Sequence, residues 1–200
     1  LSLEQAPAGL GAALRKAGFE QFTAIQHAVL APELADRDLR ISSQTGSGKT
    51  VALGLLLGPT VAEACAEKPP RKNPGPRVAA PVALLIAPTR ELAGQLGREL
   101  TWLYAPLGAR VLVVTGGTSV MQERTGLQKR PQVVIGTPGR LLDHLRAGAM
   151  TLNQLKTIAL DEADEMLDMN FEEELDGILG YAPTERRTHL VSATFPRAVV

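Results

Sequence analysis

Six short apolar runs, each followed by a turn-rich break and then in most cases a helical pattern, constrain this chain more than any other feature. The runs are Leu39–Ser42, Val82–Ala87, Arg110–Thr115, Gln132–Ile135, Thr157–Leu160 and Thr188–Ser192. They are rich in Val, Ile and Leu and scarcely alternate, the pattern of strands covered on both faces. Helical candidates lie between them near 48–65, 90–104, 119–128, 139–146 and 171–181. Strand and helix in alternation predict crossover units and an α/β fold with a doubly wound parallel sheet. Ligands bind such sheets where the strands end at their carboxyl side, so chemistry is sought just after each run.

Composition narrows the function classes. With 44% hydrophobic residues, the 200 residues suit one domain with a full core. Lys+Arg and Asp+Glu are both 21, so any nucleic-acid surface is a local patch and not a whole-molecule field. Cys65 is the only cysteine, which excludes an intrachain disulfide and makes the reducing cytoplasm the expected compartment. His27, His144 and His189 are too scattered to supply a structural zinc site with it. The longest apolar stretches, Val51–Leu57 and Val82–Ala87, are too short to cross a bilayer, so no membrane partner is expected. No charged-then-apolar leader opens the chain. The stretch Glu67–Pro81, dense in proline and basic residues, reads as a solvated loop or as an auxiliary phosphate-contacting loop.

After the first run comes Ser43-Gln44-Thr45-Gly46-Ser47-Gly48-Lys49-Thr50, and then the helical pattern. Glycines let the backbone curl so that successive N–H groups point at phosphate oxygens, and the positive end of the helix adds to them. Lys49 is expected to bring a full charge to the β and γ phosphates, and the Thr50 hydroxyl to ligate Mg²⁺. A strand before and a helix after are what the motif needs, so nucleotide binding is predicted. Four runs later, Thr157–Leu160 leads straight into Asp161-Glu162-Ala163-Asp164. Acids at the end of a buried strand are costly to desolvate unless they meet a cation. Asp161 is expected to hold the metal, and Glu162 to orient and deprotonate the attacking water.

Together these residues resemble the first RecA-like domain of a DEAD-box ATP-dependent RNA helicase of bacterial type. The matching stretches run in family order: Gly18-Phe19 through Ile25-Gln26, the phosphate loop, Pro88-Thr89-Arg90-Glu91-Leu92-Ala93, and Gly116-Gly117. Thr137-Pro138-Gly139-Arg140, Asp161–Asp164 and Ser192-Ala193-Thr194 complete the set. The resemblance covers residues 1–200 as one RecA-like domain, with the glutamine-motif region in 1–36. It implies that Gln26 recognises adenine, since a side-chain amide both donates and accepts, with Phe19 in the same pocket. Two departures fall there: Leu1 stands where the family usually has a stacking aromatic, and Phe22 where it usually has proline.

For the second ligand the resemblance implies single-stranded RNA, held by Pro88, Thr89, Arg90, Gly116, Gly117, Thr137, Pro138, Gly139 and Arg140. Helix starts and close-approach glycines read the sugar–phosphate track and not bases, so binding is expected to be sequence-independent. Ser192 and Thr194 are implied to hydrogen-bond the acidic tetrad through Asp164, coupling hydrolysis to strand separation. A second RecA-like domain carrying arginine fingers is the implied partner. Two other readings stay open: a nucleotide-gated RNA clamp without true unwinding, and an unrelated P-loop ATPase.

Overall fold

The computed structural model describes residues 2–42, 46–67 and 78–192. Its six strands are β1 (Leu39–Ser42), β2 (Ala83–Ile86), β3 (Val111–Val114), β4 (Val133–Gly136), β5 (Thr157–Asp161) and β6 (Arg187–Ser192). All pair in parallel, in the order β1-β6-β5-β2-β4-β3. The fold is the expected RecA-like, doubly wound sheet.

β2, β4 and β5 are buried along their whole length, which explains why their sequences do not alternate. A period of two still operates beneath the uniform apolarity. Ala83 and Leu85 of β2 enter one core, while Leu84 and Ile86 enter the other. The first core lies under α3 (Lys49–Ala66) and α4 (Arg90–Leu103), with α1 (Gly11–Lys16) and α2 (Ala24–Ala28) packed alongside. The second lies under α6 (Pro138–Arg146), α7 (Ala163–Asp168) and α8 (Glu172–Tyr181), with α5 (Val120–Leu127) at its margin.

The sequence pattern predicted α3, α4, α5, α6 and α8 but not α1, α2 or α7. Those three are five or six residues long, too short to show a helical period. Among the described residues α3 is the one helix long and apolar enough to cross a bilayer, so the expectation from its apolar run alone was too narrow. Yet 61% of it is buried inside the domain, where its apolar surface covers the sheet. Most of the proline-rich stretch, 68–77, lies outside the described residues.

Candidate nucleotide and RNA site

Because the six strands are parallel, the carboxyl ends of β1, β2, β3, β4, β5 and β6 all lie at one edge of the sheet. The strand order makes two groups of them. β1, β6 and β5 carry the phosphate loop, Ser192 and the acidic tetrad; β2, β4 and β3 carry the remaining motifs.

In the first group, Gly48 caps α3 in a left-handed conformation, φ +88°. A Cβ there would also stand 2.5 Å from Gln26 Nε2, so both conformation and space require glycine. Lys49, in the first turn of α3, is 8% exposed, and its Nζ lies 3.0 Å from Glu162 Oε1. Glu162 joins β5 to α7 with φ +52°, ψ +54°, a strained backbone for a residue with a side chain. Asp161, at the end of β5, is 7% exposed. Burial raises its carboxyl pKa to about 6, the Glu162 charge pushes the same way, and Lys49 and the Glu162 N–H only partly offset them.

These groups line a cavity of about 380 Å³. Gly46, Gly48, Lys49, Thr50, Asp161 and Glu162 form one wall; Phe19 and α4 residues Leu92, Gln95, Leu96 and Glu99 face it. A buried acid pushed toward neutrality, lining the same cavity as a hydroxyl and an ammonium, is a donor set that fits Mg²⁺ with phosphate. Ser192 pairs in register with Ser42, one residue beyond the partner of Asp161, so β6 sits between the phosphate loop and the tetrad. Asp164 lies in the first turn of α7, which packs against β6. Ser43, Gln44, Thr45 and Thr194 fall outside the described residues.

Gln26 is fully buried rather than open to a base. Its Oε1 accepts from the Thr23 N–H (3.1 Å), and its Nε2 donates to the Gly48 carbonyl (3.3 Å). Thr23 Oγ1 donates to the Ser47 carbonyl (3.0 Å). The capping box of α2 therefore braces the phosphate loop from behind. Thr23 was not singled out from the sequence, although a threonine three residues before Gln26 is a capping-box signature. Phe19 leans on Trp102, ring centroids 6.0 Å apart.

In the second group, Pro88 is buried and Thr89 caps α4, its Oγ1 accepting from the Leu92 N–H. Arg90 lies against Gly117: a Cβ on that glycine, φ +82°, would stand 2.0 Å from Arg90 Nη1. Two segments far apart in sequence, 90 and 116–117, thus meet as one surface. Thr137 occupies the N-cap of α6 with Pro138 in the first turn, yet its side chain makes no capping hydrogen bond. It marks the helix start without covering it, and Gly139 follows at the half-exposed opening. Arg140 turns inward: its Nη1 is 2.7 Å from Glu123 Oε2 and 3.4 Å from the Thr118 carbonyl.

A family model described as DEAD/DEAH box helicase matches residues 23–200. This chain belongs to that family. Similar DEAD/DEAH box proteins include the DEAD-box ATP-dependent RNA helicase CshA of Geobacillus kaustophilus, 42% identical over 184 residues. That match covers 92% of this chain and 37% of the relative. The ATP-dependent RNA helicase DbpA of Escherichia coli is 39% identical, with 93% of this chain and 38% of the relative covered. The crystal structure of a DEAD box protein from the hyperthermophile Methanococcus jannaschii superposes with a TM-score of 0.80 at 31% identity. It aligns over 95% of this chain and 48% of its own. The chain therefore spans less than half the length of these DEAD-box relatives.

Proposed function

We propose that the protein containing this chain is an ATP-dependent RNA helicase, and that this domain binds ATP with Mg²⁺ at one half of the sheet edge and an RNA backbone at the other. The observation that carries the reading is the convergence of Lys49, Asp161 and Glu162 on one cavity, beside a second surface where Arg90, Gly117 and the open start of α6 meet. Thr50 and Asp161 are the residues that would hold Mg²⁺, which when bound neutralises phosphate charge. Lys49 exchanges Glu162 for phosphate oxygens, and that exchange releases Glu162 to orient and deprotonate the attacking water. Gln26 braces Gly48 from behind the loop, and its selection of adenine requires this buried amide to be uncovered when the nucleotide enters. Ser192, Thr194 and Asp164 carry the change from one half of the edge to the other.

Residues 1–200 work as one RecA-like unit in the cytoplasm, consistent with a single thiol. Arg90 has no role at the γ-phosphate in this reading, so efficient turnover needs an arginine finger from a second RecA-like domain, worth roughly 10³–10⁵ in rate. The test uses the whole protein. Glu162→Gln should leave ADP affinity nearly intact and lower RNA-stimulated ATP hydrolysis by about 10² or more. Normal hydrolysis by that variant sinks the assignment of Glu162 as base.

A further inference from the structure

A carboxylate outside every motif named above sits at the centre of the second group. Glu123, on the short helix α5, is 5% exposed. Its Oε1 accepts from the Thr115 N–H at 2.9 Å and from Thr118 Oγ1. Its Oε2 accepts from Arg140 Nη1 and from His144 Nε2, each at 2.7 Å. Thr118 Oγ1 also reaches the Thr115 carbonyl at 2.6 Å. One buried carboxylate therefore ties the loop 115–118, which contains Gly116-Gly117, to both the first and the last turn of α6. Arg140, with 14% of its side chain exposed, faces this carboxylate and not the solvent.

We infer that Glu123 is a positioning residue for RNA binding, and that Arg140 serves the RNA surface by anchoring Glu123 rather than by touching phosphate. The physical reason is the number of donors. Four groups converge on two oxygens, so the loop amides of 116–117 and the first turn of α6 are held at a fixed separation. A phosphate track spanning both needs that separation, because a flexible pair of anchors would have to be ordered on binding. Arg140 offered to phosphate would leave a buried carboxylate short of its one permanently charged partner, a costly exchange.

This inference rests on the RNA reading above, and the experiment separates the two. RNA affinity of the whole protein is measured by fluorescence anisotropy with a labelled single-stranded oligouridine across a salt series, and ADP affinity in parallel. Glu123→Ala and Arg140→Ala should each weaken RNA about tenfold or more and leave ADP within about twofold. The double variant should be no weaker than the worse single one. In Arg140→Ala the slope of log affinity against log salt should match the parent, since no phosphate contact is lost.

Amide hydrogen exchange at Thr115 needs no RNA and should speed up in both single variants. Glu123→Gln, which keeps the volume and one acceptor, should fall between parent and Glu123→Ala if the alanine variant folds poorly. A slope reduced by about one in Arg140→Ala, or additive losses in the double variant, overturns the inference while RNA binding stands. Unchanged exchange at Thr115 overturns it too. A parent protein that fails to bind the oligouridine overturns the RNA reading itself, and the inference with it.

Discussion

Asp161 and Glu123 are both buried carboxylates at the same edge of one sheet, and they are held in opposite ways. Burial and a neighbouring acid push Asp161 up to about 6. For Glu123 burial pushes in the same direction, but hydrogen bonds from Thr118, His144, Arg140 and the Thr115 N–H outweigh it and hold the carboxyl below its usual range. The difference is in the donors, not in the depth. Glu123 is satisfied by the protein alone and so belongs to the architecture. Asp161 is left short of positive charge, which suits the metal-holding role proposed for it.

Removing each group separates the two roles most sharply. Glu123→Ala should cost about 2–4 kcal/mol of unfolding free energy, because Arg140, His144 and the Thr115 N–H lose a shared partner in a buried setting. Asp161→Asn should act in the opposite direction. Without ligand at pH 7 it should stabilise the domain by about 1–3 kcal/mol, since the ionised form is the costly one, while abolishing the Mg²⁺-dependent gain in nucleotide affinity. Urea unfolding of both variants measures the pair. A destabilised Asp161→Asn would erase the contrast between the satisfied carboxylate and the one left short of charge.

The smallest effect is in the pH dependence, and its sign follows from the shifts. A carboxyl raised in the folded state keeps its proton while the unfolded chain loses it, so the Asp161 contribution falls as pH rises from about 4 to about 6. A lowered carboxyl such as Glu123 contributes stability that is present above its unfolded value and lost as pH falls through the folded one. His189, buried with neither ring nitrogen partnered and lowered to about 4, also costs stability as pH drops below its ordinary 6.5. Subtracting the parent curve from that of Asp161→Asn removes the other two. The difference should be near zero at pH 4 and reach its full size above pH 6; a flat difference would falsify the raised Asp161.

Sequence alone sufficed for all six strands and the five longer helices because hydrophobic runs and punctuation are local signals. That Lys49, Asp161 and Glu162 would gather at one edge of the sheet was legible for a similar reason, since each follows a recognisable strand. Glu123 was not, since an acid in a short helix reads as solvated, and nothing near it announces that Arg140 and His144 arrive from seventeen and twenty-one residues away. The inward turn of Arg140 was hidden for the same reason. Gln26 stood between these cases: its place at the site was readable, but its bracing of Gly48 depends on a contact across twenty-two residues.

The strand order has a consequence for how the molecule comes into being. Among the described residues β1 pairs with β6 alone, Leu39 opposite His189, so the first of these six strands to be made finds its partner only when the last has been made. Until then β1 has no strand beside it, and α3, which packs on α4, β2 and β5, is what ties it to the domain. Contacts separated by that much chain are slow to form and expose unpaired strands while they wait. The β2, β4 and β3 half can assemble early, during synthesis. The β1–β6 pairing is the last to become possible, and it joins the first of the six strands to the last.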